Sequence, residues 1–125
     1  MSMTTPSTHS HELRHWDPGG GRPHVLNCTG EFDLQAAPDL RDMLCRLVEL
    51  GTKHCVVDLT DATFVDSTTL GVLTGQVRRL RAIGGSLVLV CKSERILRTI
   101  EIAGLERAFT VHPTLADALS AGTAV

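Results

Sequence analysis

Apolar residues recur along this chain in two rhythms, and the switching between them predicts an α/β fold. Glu12 to Trp16 alternates as a strand does, and His24 to Thr29 reads as a second strand. The stretch Gly19-Gly20-Gly21-Arg22-Pro23 between them makes the pair a hairpin. From Ala36 to Leu50 the period lengthens. Leu40, Met43, Leu44, Leu47 and Val48 fall on one face of a helix, with Pro38 near its start and Gly51 just past its end. Cys55-Val56-Val57 is then a short apolar run of the kind a parallel sheet covers on both faces.

The second half continues in the same way. Leu70, Leu73, Val77 and Leu80 predict a helix from about Ser67 to Ile83, with Gln76, Arg78, Arg79 and Arg81 facing outward and Gly84-Gly85 ending it. Ser86 to Val90 predicts another buried strand. Ser93 is placed to cap a helix through Ile96, Leu97 and Ile100 that stops at Gly104. Ala108 to Val111 reads as an edge strand, and Thr114 with Asp117 opens a last helix over Leu115, Ala118 and Leu119. Together these elements imply one α/β domain: a mixed, mostly parallel sheet of four to five strands with about four helices. Met1 to Ser10 is too polar to bury and reads as a disordered tail, which leaves residues 11–121 as the domain.

Composition narrows the functional classes. A chain of 125 residues that is 42% hydrophobic builds one core and has no room for a second domain. A net charge of -2 supplies no basic surface for nucleic acid. No apolar run reaches the roughly 20 residues that span a bilayer, so a cytoplasmic protein without a membrane partner is expected. Cys28, Cys45, Cys55 and Cys91 lie far apart among apolar neighbours with no C-x-x-C pair, and read as buried, reduced thiols.

His11-Glu12-Leu13-Arg14-His15 has the H-E-x-x-H spacing of zinc proteases, a pattern that works only on a helix. Asp17-Pro18-Gly19 follows almost at once, so the segment reads as a strand with His11, Leu13 and His15 on one side. His9 and His24 offer at most a weak adventitious metal site. No cofactor or metal is expected. There is no phosphate-binding glycine loop and no histidine placed to activate Ser67, so an enzyme is not expected either.

Sheets of this type carry their functional residues in loops at the carboxyl ends of strands. Here those segments are Gly30-Glu31-Phe32-Asp33 and the run from Asp58 to Thr69. If the two strands are parallel, Glu31, Asp33, Asp58, Asp61 and Asp66 crowd one tip beside the consecutive hydroxyls of Ser67, Thr68 and Thr69. Asp66 suits a helix N-cap with Ser67 as the first helical residue. A helix start attracts negative charge, and a phosphoryl group on Ser67 would add about 1.5 to 2 charges there. The same residues also read as an ordinary capped helix, and the pattern alone leaves both open.

Gly30-Glu31-Phe32-Asp33, Val56-Val57-Asp58-Leu59, Phe64-Val65-Asp66-Ser67-Thr68, Leu70-Gly71-Val72-Leu73, Gly84-Gly85-Ser86-Leu87 and Ile102-Ala103-Gly104-Leu105 resemble, in order and spacing, the STAS-domain anti-sigma factor antagonists. The resemblance runs from about Val25 to Leu119. It implies the STAS fold and a partner-switching cycle. The unphosphorylated protein binds an anti-sigma factor serine kinase and so frees a sigma factor; phosphorylation at Ser67 ends the interaction, and a serine phosphatase restores it. It implies a docking surface of Glu31, Asp33, Asp66, Ser67, Thr68, Thr69 and Gly71. Family members commonly have Gly where this chain has Thr69, a departure that leaves Thr68 and Thr69 as competing acceptors. The alternative is a STAS regulatory or scaffold module of a transporter or other signalling complex. A monomer or weak dimer is expected.

Overall fold

Backbone pairing carries the strands well beyond their apolar centres. In the computed structural model, which describes residues 3–4 and 11–121, one sheet holds six strands in chain order. The elements are β1 (Met3–Thr4), β2 (His11–Trp16), β3 (His24–Phe32), α1 (Ala37–Glu49), β4 (His54–Val65), α2 (Ser67–Ala82), β5 (Ser86–Val90), α3 (Glu94–Ile102), β6 (Val111–His112) and α4 (Leu115–Ser120). The first three strands pair antiparallel. β3 through β6 pair parallel, so the ends of β3 and β4 share one edge.

Two segments expected as loops are strand. β3 continues through Glu31 and Phe32, and β4 through Asp58 to Val65, because the two pair with each other as far as Phe32 opposite Val65. Polar side chains conceal such a strand from a hydrophobicity pattern without weakening its backbone ladder. The last strand is Val111–His112, not Ala108 to Val111. Ala108 and Phe109 instead pack against the core from the preceding turn. Within the tail expected over Met1 to Ser10, Met3–Thr4 pair with His15 and Arg14 of β2; the other tail residues lie outside the described ones.

The sheet has two unequal layers. Leu13, Leu26, Phe32, Val57, Leu59 and Leu89 pack against Leu40, Leu44 and Leu47 of α1, Leu70, Leu73 and Leu80 of α2, and Ile96 and Ile100 of α3. Each such side chain, fully buried, contributes about 2 kcal/mol. On the other face Val25, Val56 and Val90 meet Ala118 of the short α4, with Trp16, Val88, Leu115 and Leu119 at the margin. The rest of that face is held by a polar ladder. Trp16 Nε1 donates to Asn27 Oδ1 at 2.7 Å, Asn27 Nδ2 donates to Asp58 Oδ2 at 3.0 Å, and Asp58 Oδ1 accepts from the Thr60 amide and hydroxyl. Asp58 is 8% exposed and belongs to this ladder, not to the tip where it was expected.

Gln76 is a further departure. It was expected on the outer side of α2 but is 7% exposed, turned toward α1. Arg78, Arg79 and Arg81 are exposed as expected.

Candidate functional site

The site is built around one carbonyl. Phe32, the last residue of β3, is fully buried, and its oxygen accepts from the Asp66 amide at 3.1 Å and from the Thr69 hydroxyl at 2.8 Å. These two bonds tie the exit of β3 to the start of α2. The segment after Phe32 and the first turn of α2 are thereby held side by side.

Asp33 shapes the first segment. Its Oδ1 accepts from the amides of Gln35 at 3.0 Å and Ala36 at 3.3 Å, and its carbonyl accepts from Ala36 and Ala37. Helix α1 has no side-chain cap at Ala36, so Asp33 satisfies its entry instead. Asp33→Ala is therefore expected to cost about 1 kcal/mol in addition to any loss of binding, whereas Asp33→Asn keeps most of that stability. Urea unfolding of the two variants checks this.

Asp66 shapes the second segment. Its backbone is extended and its Oδ1 accepts from the Thr69 amide at 2.9 Å, which fixes Ser67 as the first residue of α2. Ser67 and Thr68 are exposed. Thr69 is 0% exposed, with its hydroxyl spent on Phe32, so it faces neither a partner nor a kinase as it stands. This corrects its expected place on the docking surface. Gly71 lies one turn along from Ser67 on the exposed side of α2, and a Cβ there would meet no atom within 4 Å.

Of the five carboxylates expected to crowd the tip, Asp33 and Asp66 flank the Phe32 carbonyl directly. Glu31 is exposed next to Phe32, on the strand residue paired with Phe64. Asp61 is exposed further back on β4, opposite Thr29. One residue was missed from the sequence. Leu34 follows Asp33 and is 69% exposed, an apolar side chain standing in water two residues past Phe32. Nothing in the pattern marks it, because a leucine before a helix reads as core.

The STAS domain family model matches residues 19–118. The chain belongs to the STAS domain family. It is 41% identical over 81 residues to the anti-sigma-B factor antagonist of Bacillus subtilis (strain 168), covering 65% of this chain and 73% of that one. With the protein of the same name from Staphylococcus aureus (strain NCTC 8325 / PS 47), identity is 34% over 77 residues, covering 62% and 71%. Among solved structures, an anti-sigma factor antagonist from Mycobacterium paratuberculosis superposes with a TM-score of 0.81 at 28% identity, over 90% of this chain and 94% of that one. The STAS fold expected from the sequence is thus present.

At the opposite edge, the STAS domain carries a histidine pair. His15 Nε2 and His24 Nδ1 are 2.9 Å apart, and His24 Nε2 lies 3.5 Å from Asp17. His11 pairs separately with Asp39 of α1 at 2.8 Å. The H-E-x-x-H segment is strand, as expected, and its imidazoles have different partners. Among the described residues no group of three or more His, Cys, Asp or Glu is placed to hold a metal ion, and no helix is long and apolar enough to cross a membrane. His9 lies outside the described residues.

His15 is buried, and burial first, then the His24 imidazole, lowers its pKa below the ordinary 6.5. Unfolding frees it to bind a proton that the folded state resists. Stability linked to His15 is full above 6.5 and is lost as pH falls toward the lowered folded value. Urea midpoints are expected to fall over that window, and less steeply in His15→Phe.

Proposed function

We propose that this STAS domain is an anti-sigma factor antagonist that, unphosphorylated, docks on an anti-sigma serine kinase and frees the sigma factor, and that phosphorylation of Ser67 switches it off. The observation that carries this function is the exposed Ser67 at the first position of a capped helix whose first turn is tied to the carbonyl of Phe32, the residue before Asp33 and the exposed Leu34. The relatives named anti-sigma-B factor antagonists support the role.

Phosphoryl transfer forms a bond from Ser67 Oγ to the γ-phosphorus of ATP as the bond to the ADP oxygen breaks, and the hydroxyl proton passes to a base of the kinase. The unpaired amides and positive dipole end of the first turn of α2 accommodate the resulting anion, so the fold persists. The surface changes instead. About 1.5 to 2 negative charges arrive between Asp33 and Asp66, where the kinase had docked, and expel it by repulsion and bulk. Glu31, Thr68 and Gly71 complete the contact surface, Gly71 by letting a partner backbone approach closely. A serine phosphatase resets the cycle.

Leu34 serves as the apolar anchor. Leu34→Ala is expected to weaken kinase binding by about tenfold without lowering thermal stability, since little of the side chain is buried before docking. Titration calorimetry and a thermal melt check both halves.

The test of the function is capture from lysate of the source organism with wild-type, Ser67→Ala and Ser67→Asp chains as baits. One ATP-binding serine kinase held by the first two and lost by the third is expected. The same transporter or scaffold complex on all three baits would sink the proposal.

A further inference from the structure

Three of the four cysteines are shielded as expected. Burial pushes the Cys55 thiol up to about 12 and raises those of Cys28 and Cys91. Cys45 was expected to be buried with them and is not. It sits half-exposed on α1, facing α2, and two side-chain N–H donors converge on its sulfur. Gln76 Nε2 lies 3.4 Å from Sγ, and an Arg79 guanidinium nitrogen lies 3.2 Å from it.

The second observation is the other end of the Gln76 amide. Gln76 is 7% exposed, and its Oε1 is buried with no hydrogen-bond partner. Turning the amide over does not cure this. The thiol would then donate to Oε1, and the amide nitrogen would become the orphan. A buried group left unpaired is costly, and a bare thiol has too few polar atoms to satisfy both ends. A sulfur carrying a hydroxyl has enough. Its oxygen accepts from Arg79, and its O–H donates to Gln76 Oε1.

We propose that Cys45 is a site of reversible oxidation by hydroperoxides, with Gln76 and Arg79 holding the product as a sulfenic acid. Sulfur is the nucleophile, and it is half-exposed with the Arg79 guanidinium and the Gln76 amide N–H against it. Sulfur attacks one peroxide oxygen; the S–O bond forms as the O–O bond breaks, and two electrons pass from sulfur to the peroxide. The departing hydroxide, hydrogen-bonded by Arg79, takes up the proton released by the thiol and leaves as water. Two equivalents of a small thiol return Cys45 to its reduced form through a mixed disulfide. The bulk gained is on α1 and presses against α2, the helix that Ser67 begins.

The test exposes the full chain to hydrogen peroxide with dimedone, which traps sulfenic acids, and maps the adducts by peptide mass spectrometry. The expected result is an adduct on Cys45 with Cys28, Cys55 and Cys91 unmodified. Labelling should slow about tenfold in Arg79→Met, the value of one hydrogen bond to a charged group. In Gln76→Leu the sulfenic acid should form and then pass on more quickly to the sulfinic acid. Circular dichroism and urea midpoints confirm that each variant is folded. An unlabelled Cys45 in the wild-type chain, label spread evenly over the four cysteines, or equal rates in wild type and folded Arg79→Met would overturn the assignment.

Discussion

Ser67→Asp is expected to bind the anti-sigma kinase about tenfold or more weakly than wild type, whereas Ser67→Ala binds as wild type does and takes up no phosphate. The difference arises from charge at the docking surface. A carboxylate at the first position of α2 follows Asp66 directly and adds charge and bulk to a surface that already carries Asp33 and Asp66. It should not weaken the fold. A negative charge in the first turn of a helix stabilises it by about 0.3 to 1 kcal/mol, so the melting temperature of Ser67→Asp should hold or rise slightly. Calorimetric titration with the kinase and a thermal melt of each variant separate the two effects. Lost binding with an unchanged melt supports the switch, and lost binding through a collapsed melt would assign Ser67 to the fold. Should Ser67→Ala still accept phosphate, the acceptor is Thr68, because the Thr69 hydroxyl is enclosed against Phe32.

Gly85→Ala is expected to destabilise the domain strongly. A Cβ at Gly85 would stand 2.0 Å from the Lys53 carbonyl oxygen, 2.9 Å from its carbon and 3.2 Å from the Leu80 carbonyl oxygen. These are backbone atoms and cannot swing aside. Gly85 donates to Leu80 O at 2.7 Å and Ser86 to Lys53 O at 2.9 Å, so the clash falls where α2 ends and β5 begins to pair with β4. Relief requires the two strands to separate at their start. A cost of about 3 kcal/mol follows, or a melting temperature lower by about 10 °C. Gly75→Ala is the control. Gly75 is an exposed residue inside α2 with no atom within 4 Å of an added Cβ, and alanine there should stabilise by about 0.5 to 1 kcal/mol. If both variants melt alike, steric exclusion at Gly85 is wrong.

The same comparison separates what pattern reveals from what packing decides. α1, α2 and α3 were legible because their leucines, and in α3 Ile96 and Ile100, repeat at helical spacing and Asp66, Ser93 and the glycines after each helix mark the ends. The outer halves of β3 and β4 were not, because Glu31, Asp58, Thr60 and Asp61 interrupt the alternation while their backbones still pair. Gln76 read as solvent-facing for a related reason. Helical periodicity places a residue at an angle around the axis, and only the neighbouring helix settles whether that angle is wet.

The candidate site divides along the same line. Order along the chain was sufficient to put Asp33, Asp66 and Ser67 at one sheet edge, because capping and parallel pairing follow local rules; their role in docking and phosphorylation came from the resemblance to the STAS antagonists, not from the pattern. Sequence also set the helix that begins at Ser67, through a carboxylate one residue before it. The tertiary structure decided which of three adjacent hydroxyls stays available, enclosing Thr69 and leaving Ser67 and Thr68 in water. It also drew Asp58 into a ladder with Asn27, left Leu34 bare, and brought Gln76 and Arg79 onto Cys45 from a different helix. Each of these depends on which atoms lie across a gap between elements distant in sequence, and periodicity along one chain carries no information about that gap.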